Sequence, residues 1–376
     1  MSEYQFIHFL AIDRPLDEKQ LAFMRRQSSR AEVSRWKFTN EYHYGDFRGD
    51  ALEMLRRGFD VHLHFANYGT RLLMFRLPGG LPCDRKLFEQ FAPEYGLTWH
   101  KDKSGPGGVL EIQPEADAGT WNEDFFDTDE LLPTIAPVWG LLVNGDLRPL
   151  YIMWLACNAW EEDVLEPPVP AGMGSLPESL VALAKFYEIS QSVLDAVAER
   201  SAPAPETLDQ NLALTNWLSD RSEQEVRELA QQLLIGDPVV ARAEIMTQVR
   251  TQSECPDWPV TKPTRTTTTI HAAAKTIVER RRKQIREKLA RDRIERLKQL
   301  AADPDKAIAL ARSLVKQRST TSYELAAQEL ADLREALNSA EGNRKVAAVA
   351  TKLFRDNPTL NRLKSALRKK GLAPVG

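Results

Sequence analysis

A chain of 376 residues with 43% hydrophobic content and eight Trp is too long for one ordinary core and too apolar to be disordered, so two or three domains are expected. The three cysteines, Cys83, Cys157 and Cys255, lie far apart with no CxxC, which excludes a disulfide framework and a Cys-rich zinc site and fits a reducing cytoplasm. The net charge of −3 hides a division: residues 271–376 carry 25 basic and 12 acidic residues, so everything before them is about 16 negative. The N-terminal stretch MSEYQFIHFL has no basic n-region and reads as a strand rather than a signal peptide. The longest apolar run, Pro149 to Trp160, is too short to span a bilayer. A cytoplasmic protein with no membrane partner is expected.

Residues 1–130 read as an α+β domain. Aromatic and β-branched residues favour strands at 3–12 and 32–42, and acid-to-base polarity favours helices at 16–27 and 50–58. The sequence DVHLHFA, residues 60–66, alternates strictly, with Asn67-Tyr68-Gly69 as its turn and 70–78 as the return strand. A helix near 84–92 and a hairpin over 97–113 complete a βαβαββαββ order, which suggests an antiparallel or mixed sheet with helices on one side, in a ferredoxin-like or similar α+β arrangement. Five of the six histidines fall here. His62 and His64 share one strand face, and with His43 they form a candidate metal site; a metal-dependent enzyme centred there, with Asp46 nearby, is the alternative function. The plainer reading makes them polar residues on the less buried face. Residues 114–130 hold seven acids and no base and read as a solvated connector with aromatic anchors.

Residues 131–252 read as an acidic helical domain, with helices at 132–144, 147–161, 177–187, 190–199, 208–219, 223–234 and 238–251. The spacing over 182–197 matches a helix-turn-helix, but Glu188 stands where that turn has Gly, and Asp195 and Glu199 sit where phosphates would lie. An ordinary packed αα-hairpin is expected instead. Residues 253–270, with three prolines and six threonines, read as an extended, mobile linker.

Residues 271–376 read as a basic helical arm followed by a C-terminal helical bundle. The stretch Lys275 to Lys298 has eleven Lys/Arg against four Asp/Glu and no Gly or Pro. Its apolar positions form a narrow stripe closer to a coiled-coil seam than to a core face. Glu279–Lys283, Glu287–Arg291 and Asp292–Arg296 are expected as i, i+4 pairs. The candidate nucleic-acid or partner-binding residues are Arg280, Arg281, Arg282, Lys283, Arg286, Lys288, Arg291, Arg293, Arg296 and Lys298. No aromatic is interleaved among them, which argues against single-strand stacking.

The head, with EYQF, AIDRPL, FTNEYHYGDFRGD and FDVHLHFANYGTRLLMFRLP, resembles an uncharacterised bacterial protein family, which implies no activity that can be carried over. The tail, YELAAQELADLREAL and KVAAVATKLFRDNPTLNRLKSALRKKGL, is similar to the helical C-terminal segment of bacterial SWIM zinc-finger proteins. The CxC and CxH zinc ligands of that family are absent. The resemblance implies work beside nucleic-acid-associated machinery, with a SWIM-type protein as a partner in a bacterial complex.

No GxxxxGKS/T, GxGxxG after a strand, GxSxG or HExxH is present, and no cofactor is expected. The expectation is a non-enzymatic, multidomain interaction or adaptor protein. Its basic arm binds DNA or RNA non-specifically, docks an acidic protein, or covers the acidic body of its own chain.

Overall fold

A computed structural model describes residues 4–372, apart from 44, 93, 115–127, 159–162, 206–209, 236–240, 242–244, 246–247 and 250–257. The acidic connector and most of the helix expected at 238–251 lie outside the described residues. The chain divides into two compact units, Met1–Val278 and Glu279–Gly376.

The first unit is built on one seven-stranded sheet. Its elements are β1 (Gln5–Leu10), α1 (Glu18–Arg25), β2 (Glu32–Val33), β3 (Lys37–Tyr42), α2 (Ala51–Arg57), β4 (Val61–Ala66), β5 (Thr70–Leu77), α3 (Arg85–Phe91), β6 (Leu97–Lys101) and β7 (Gly108–Ile112). The strand order is β2-β3-β1-β4-β5-β7-β6, antiparallel at every pairing, the first of the two expected arrangements. Local chemistry sets the ends. Asp17, Asp50 and Asp84 each cap the helix that follows with a side-chain oxygen. Gly69 takes the positive φ of 115° that the β4–β5 turn requires.

Helices cover both faces of the sheet, not one. Period-two alternation sends Phe6, Val61, Leu63, Phe65, Leu73 and Phe75 to one core, and Ile7, Phe9, Phe38, Met74 and Val109 to the other. The second core is closed by α1 and α2 through Leu21, Met24, Met54 and Leu55. The histidine-bearing face of β4 is therefore interior at His62 and half-covered at His64.

The first core continues without a break into the helical segment: α4 (Thr128–Ile135), α5 (Val138–Val143), α6 (Arg148–Cys157), α7 (Glu178–Phe186) and α8 (Gln191–Ala198). The helix expected over 132–144 is divided at Ala136-Pro137. Every residue of α6 from Arg148 to Ala156 is buried, as its nearly all-round apolarity indicates. The sheet and these helices thus share one hydrophobic core across the boundary expected at residue 130. Beyond them lie α9 (Gln210–Ser219) and α10 (Glu223–Ile235), where Trp217, Ile245 and Val249 form a small separate cluster.

The α7–α8 turn explains its unusual glutamate. Glu188 has φ 53°, a left-handed conformation that costs a non-glycine residue about 1 kcal/mol. Its carboxylate accepts a hydrogen bond from Arg71 Nη2 at 2.8 Å, and Arg71 Nη1 donates to the Phe186 carbonyl at the C-terminus of α7. Arg71 rises from β5 with a side chain only 1% exposed, so the sheet holds the hairpin through a buried cation. Glu188→Gly relieves the backbone but removes that cation's carboxylate partner. Loss of the partner outweighs the relief, and urea unfolding should show a net loss of about 2 kcal/mol.

The described part of the stretch read as a linker is held on the body. Strand β9 (Val260–Thr261) pairs with β8 (Val169–Pro170), and Trp258 Nε1 donates to the Ala171 carbonyl at 3.1 Å. The Arg148 guanidinium lies over the Trp258 ring at 4.9 Å. Arg265 meets Glu166 with Nη2–Oε2 at 2.8 Å and Nε–Oε1 at 3.0 Å. The backbone N–H groups of Thr264 and Arg265 also donate to Glu166, and Tyr151 Oη donates to its Oε2 at 2.9 Å. Thr/Pro composition encodes extended backbone, which serves a docked strand as well as a free tether.

The long helix α11 (Thr267–Ala302) begins here, and Ile270, Ala274 and Ile277 bury its first turns in the same core. The second unit contains the rest of α11 with α12 (Pro304–Lys316), α13 (Thr320–Leu337), α14 (Ala340–Asp356) and α15 (Asn361–Lys369). Their core includes Leu300, Ile308, Ala327, Leu330, Leu333, Val346, Leu353 and Leu363. Asp303 caps α12 before Pro304, and Ser319 caps α13.

Candidate partner interface on a basic helix

Within the second unit, α11 is exposed on every side from Glu279 to Asp292. No Gly or Pro interrupts it, so the charge-rich stretch is one continuous helix. Helical geometry separates its cations into faces. Arg280, Lys288, Arg291 and Lys298, with Gln284, recur at i, i+4, i+8, i+11 and i+18, a stripe about 27 Å long at 1.5 Å per residue. Arg281 borders that stripe. Arg282 and Arg286 lie on the other side with Ile285 and Leu289.

Two of the ten candidate residues reach another helix of the unit. Arg293 Nη2 meets Asp332 at 2.8 Å and Glu335 at 2.6 Å. Arg296 meets Glu329 and, at 3.2 Å, Asp332. These contacts tie α11 to α13. Hydrogen bonds to Asp332 and Glu335 raise the Arg293 pKa. Burial works to raise the Asp332 pKa, but hydrogen bonds from Arg293 and Gln328 outweigh it and hold the carboxyl below its usual range.

The expected i, i+4 pairs of this helix are replaced. Lys283 lies 3.9 Å from Glu287, and Arg296 turns to α13 rather than to Asp292. For Arg296 the reason is geometric: a carboxylate on a packed neighbour is fixed, whereas one on an exposed turn of the same helix is solvated. Arg280, Arg282, Arg286, Lys288, Arg291 and Lys298 make no ion pair among the described residues. A helix with this many uncompensated cations is an anion-attracting surface. Its stripe points away from the face that carries Arg293, Arg296 and Leu300.

The second candidate site, on the histidines, comes apart. His62 is 1% exposed, stacked on Phe9 at 3.8 Å, and its Nδ1 donates to the His8 carbonyl at 3.1 Å. His64 Nε2 donates to Gln5 Oε1 at 3.0 Å, and Gln5 Nε2 donates to Asp46 at 2.9 Å. His43 is exposed beside the Tyr4 ring. No group of three or more His, Cys, Asp or Glu among the described residues is arranged to hold a metal. Burial pushes His62 well below the usual histidine range, and pushes His64 down to about 4. His62 is thus a neutral, hydrogen-bonded core residue, and His64 is half-buried and held by Gln5. The alternation of β4 showed their common face but not what covers it.

Elsewhere, His100 Nε2 lies 2.9 Å from Glu111 on the neighbouring strand, beside an Arg56–Asp102–Arg76 cluster. A cavity of about 230 Å³ is lined by Leu155, Tyr187, Ile189, Val193, Ile270 and His271. No helix among the described residues is long and apolar enough to cross a membrane.

No family model, curated protein or solved structure matches this chain.

Proposed function

We propose that this chain is a non-enzymatic interaction protein whose α11 stripe docks on the phosphate backbone of nucleic acid without reading sequence. The observation that carries the reading is the row Arg280, Lys288, Arg291 and Lys298, which has no carboxylate partner among the described residues. The stripe's length of about 27 Å matches about eight base pairs of duplex. Guanidinium and ammonium groups neutralise phosphates, and the lack of aromatics within Lys275–Lys298 favours a duplex over stacked single strands. Cysteine usage supports a cytoplasmic location. The resemblance of the tail supports a SWIM-type zinc-finger protein as a companion in the same complex.

The test is a salt series with the full chain on duplex DNA, duplex RNA and single strands. Binding at 50 mM salt should weaken steeply as salt rises. Arg280→Ala, Lys288→Ala and Arg291→Ala together should lower the slope of log K against log salt by roughly 0.9 for each phosphate that is no longer neutralised. No binding to any of these at low salt would remove the reading.

A further inference from the structure

The exposed part of α11 repeats a pattern that its C-terminal part shows filled. Arg293, Arg296, Leu297 and Leu300 occupy i, i+3, i+4 and i+7, one face of the helix. Arg282, Ile285, Arg286 and Leu289 occupy the same four places eleven residues earlier, again two arginines and two apolar residues, with the arginine and the apolar residue exchanged at i+3 and i+4. Eleven residues make three turns and about 20°, so both sets lie on the same side.

The later set has its occupant. Arg293 and Arg296 engage Glu329, Asp332 and Glu335, which stand at i, i+3 and i+6 on α13, while Leu300 is buried in the bundle core. The earlier set offers the same chemistry to nothing among the described residues. Ile285 is 58% exposed and Leu289 62%, and Arg282 and Arg286 have no ion pair there. Phosphates have no use for the two apolar side chains. A second copy of this helix brings the same cationic excess and is repelled.

We infer that Arg282, Ile285, Arg286 and Leu289 seat one amphipathic helix of a partner protein, with carboxylates at i and i+3 beside an apolar stripe, as on α13. The apolar pair supplies the contact area and the two arginines set register and exclude basic partners. This seat is on the opposite side of α11 from the phosphate stripe, so it stands or falls independently of nucleic-acid binding.

A labelled peptide with the sequence of residues 319–338 serves as the probe, titrated onto the full chain. It should bind, and Ile285→Ser with Leu289→Ser should weaken it about tenfold or more. Arg282→Glu with Arg286→Glu should weaken it similarly. A peptide carrying Glu329→Lys, Asp332→Lys and Glu335→Lys should restore binding to that charge-reversed chain. The Ile285→Ser, Leu289→Ser chain should keep its affinity for duplex DNA, which separates this seat from the stripe. No peptide binding, or equal binding to the Ser-substituted chain, would overturn the inference. So would a concentration-dependent dimer that these substitutions abolish, since the occupant would then be a second copy.

Discussion

Arg265→Met should destabilise the first unit by about 3–5 kcal/mol, a large fraction of the 5–15 kcal/mol that holds an ordinary domain together. Glu166 is 2% exposed, and Arg265 covers both of its oxygens. Burying two charges is costly, and the pair persists because further hydrogen bonds satisfy it: two backbone N–H groups, the Tyr151 hydroxyl, and Arg265 Nη1 to the Ala196 carbonyl at 2.7 Å, besides the bidentate contact itself. Removing the cation alone leaves a buried carboxylate. Adding Glu166→Gln to Arg265→Met removes the stranded charge and should recover much of the loss, so the two changes will not be additive. All eight Trp residues precede Glu279, so tryptophan fluorescence in a urea titration reports on this unit alone. A midpoint shift under about 1 kcal/mol would show that the pair is not holding residues 258–267 to the body.

Acid should unfold the same unit well above the range set by carboxylates. Burial pushes His8 down to about 4, with Lys37 adding to the effect; His64 lies at about 4 and His62 is lowered well below its ordinary value. In the unfolded chain each takes up a proton near 6.5. Stability from His8 and His64 is therefore fully present above about pH 6.5 and is lost as pH falls toward 4, at about 3 kcal/mol for each, and His62 acts in the same direction. Asp60 opposes them. Burial raises its pKa to about 6 despite hydrogen bonds from the Ile12 and Asp13 backbone, so its contribution grows as pH falls from 6 to 4. His8 and His64 together outweigh the one carboxyl by a few kcal/mol, and His62 adds to the loss. His8 supplies a sharper check, because it is 3% exposed and neither ring nitrogen has a hydrogen-bond partner among the described residues. His8→Leu should stabilise the protein by about 1–3 kcal/mol at pH 7 and reduce the acid loss. A urea midpoint that stays constant between pH 6.5 and 4.5 would refute this linkage.

Much of the fold was legible because its signals are local. The β4–β5 hairpin follows from alternation and a glycine turn, and most helices start at a capping Asp or Ser. The continuity of α11 follows from an uninterrupted run of helix formers. Of the candidate interface, the position and sign of the charge were legible. The roles of Arg293 and Arg296 were not, because their carboxylates lie about forty residues later on a different helix. Nothing within a helical turn of either arginine distinguishes it from Arg291.

What the amino-acid sequence determined by itself is the type of most elements and the electrical division between residues 1–270 and 271–376. Both depend on residue type and spacing over a few turns. Tertiary structure alone decided which surfaces are surfaces. It put α1 and α2 over the histidine face, joined Glu166 to Arg265 across 99 positions, and let Glu188 adopt a glycine's conformation to reach Arg71. Burial and long-range pairing are properties of the assembled chain, so the same Thr, His and Arg residues can read as solvated in sequence and be interior in the fold.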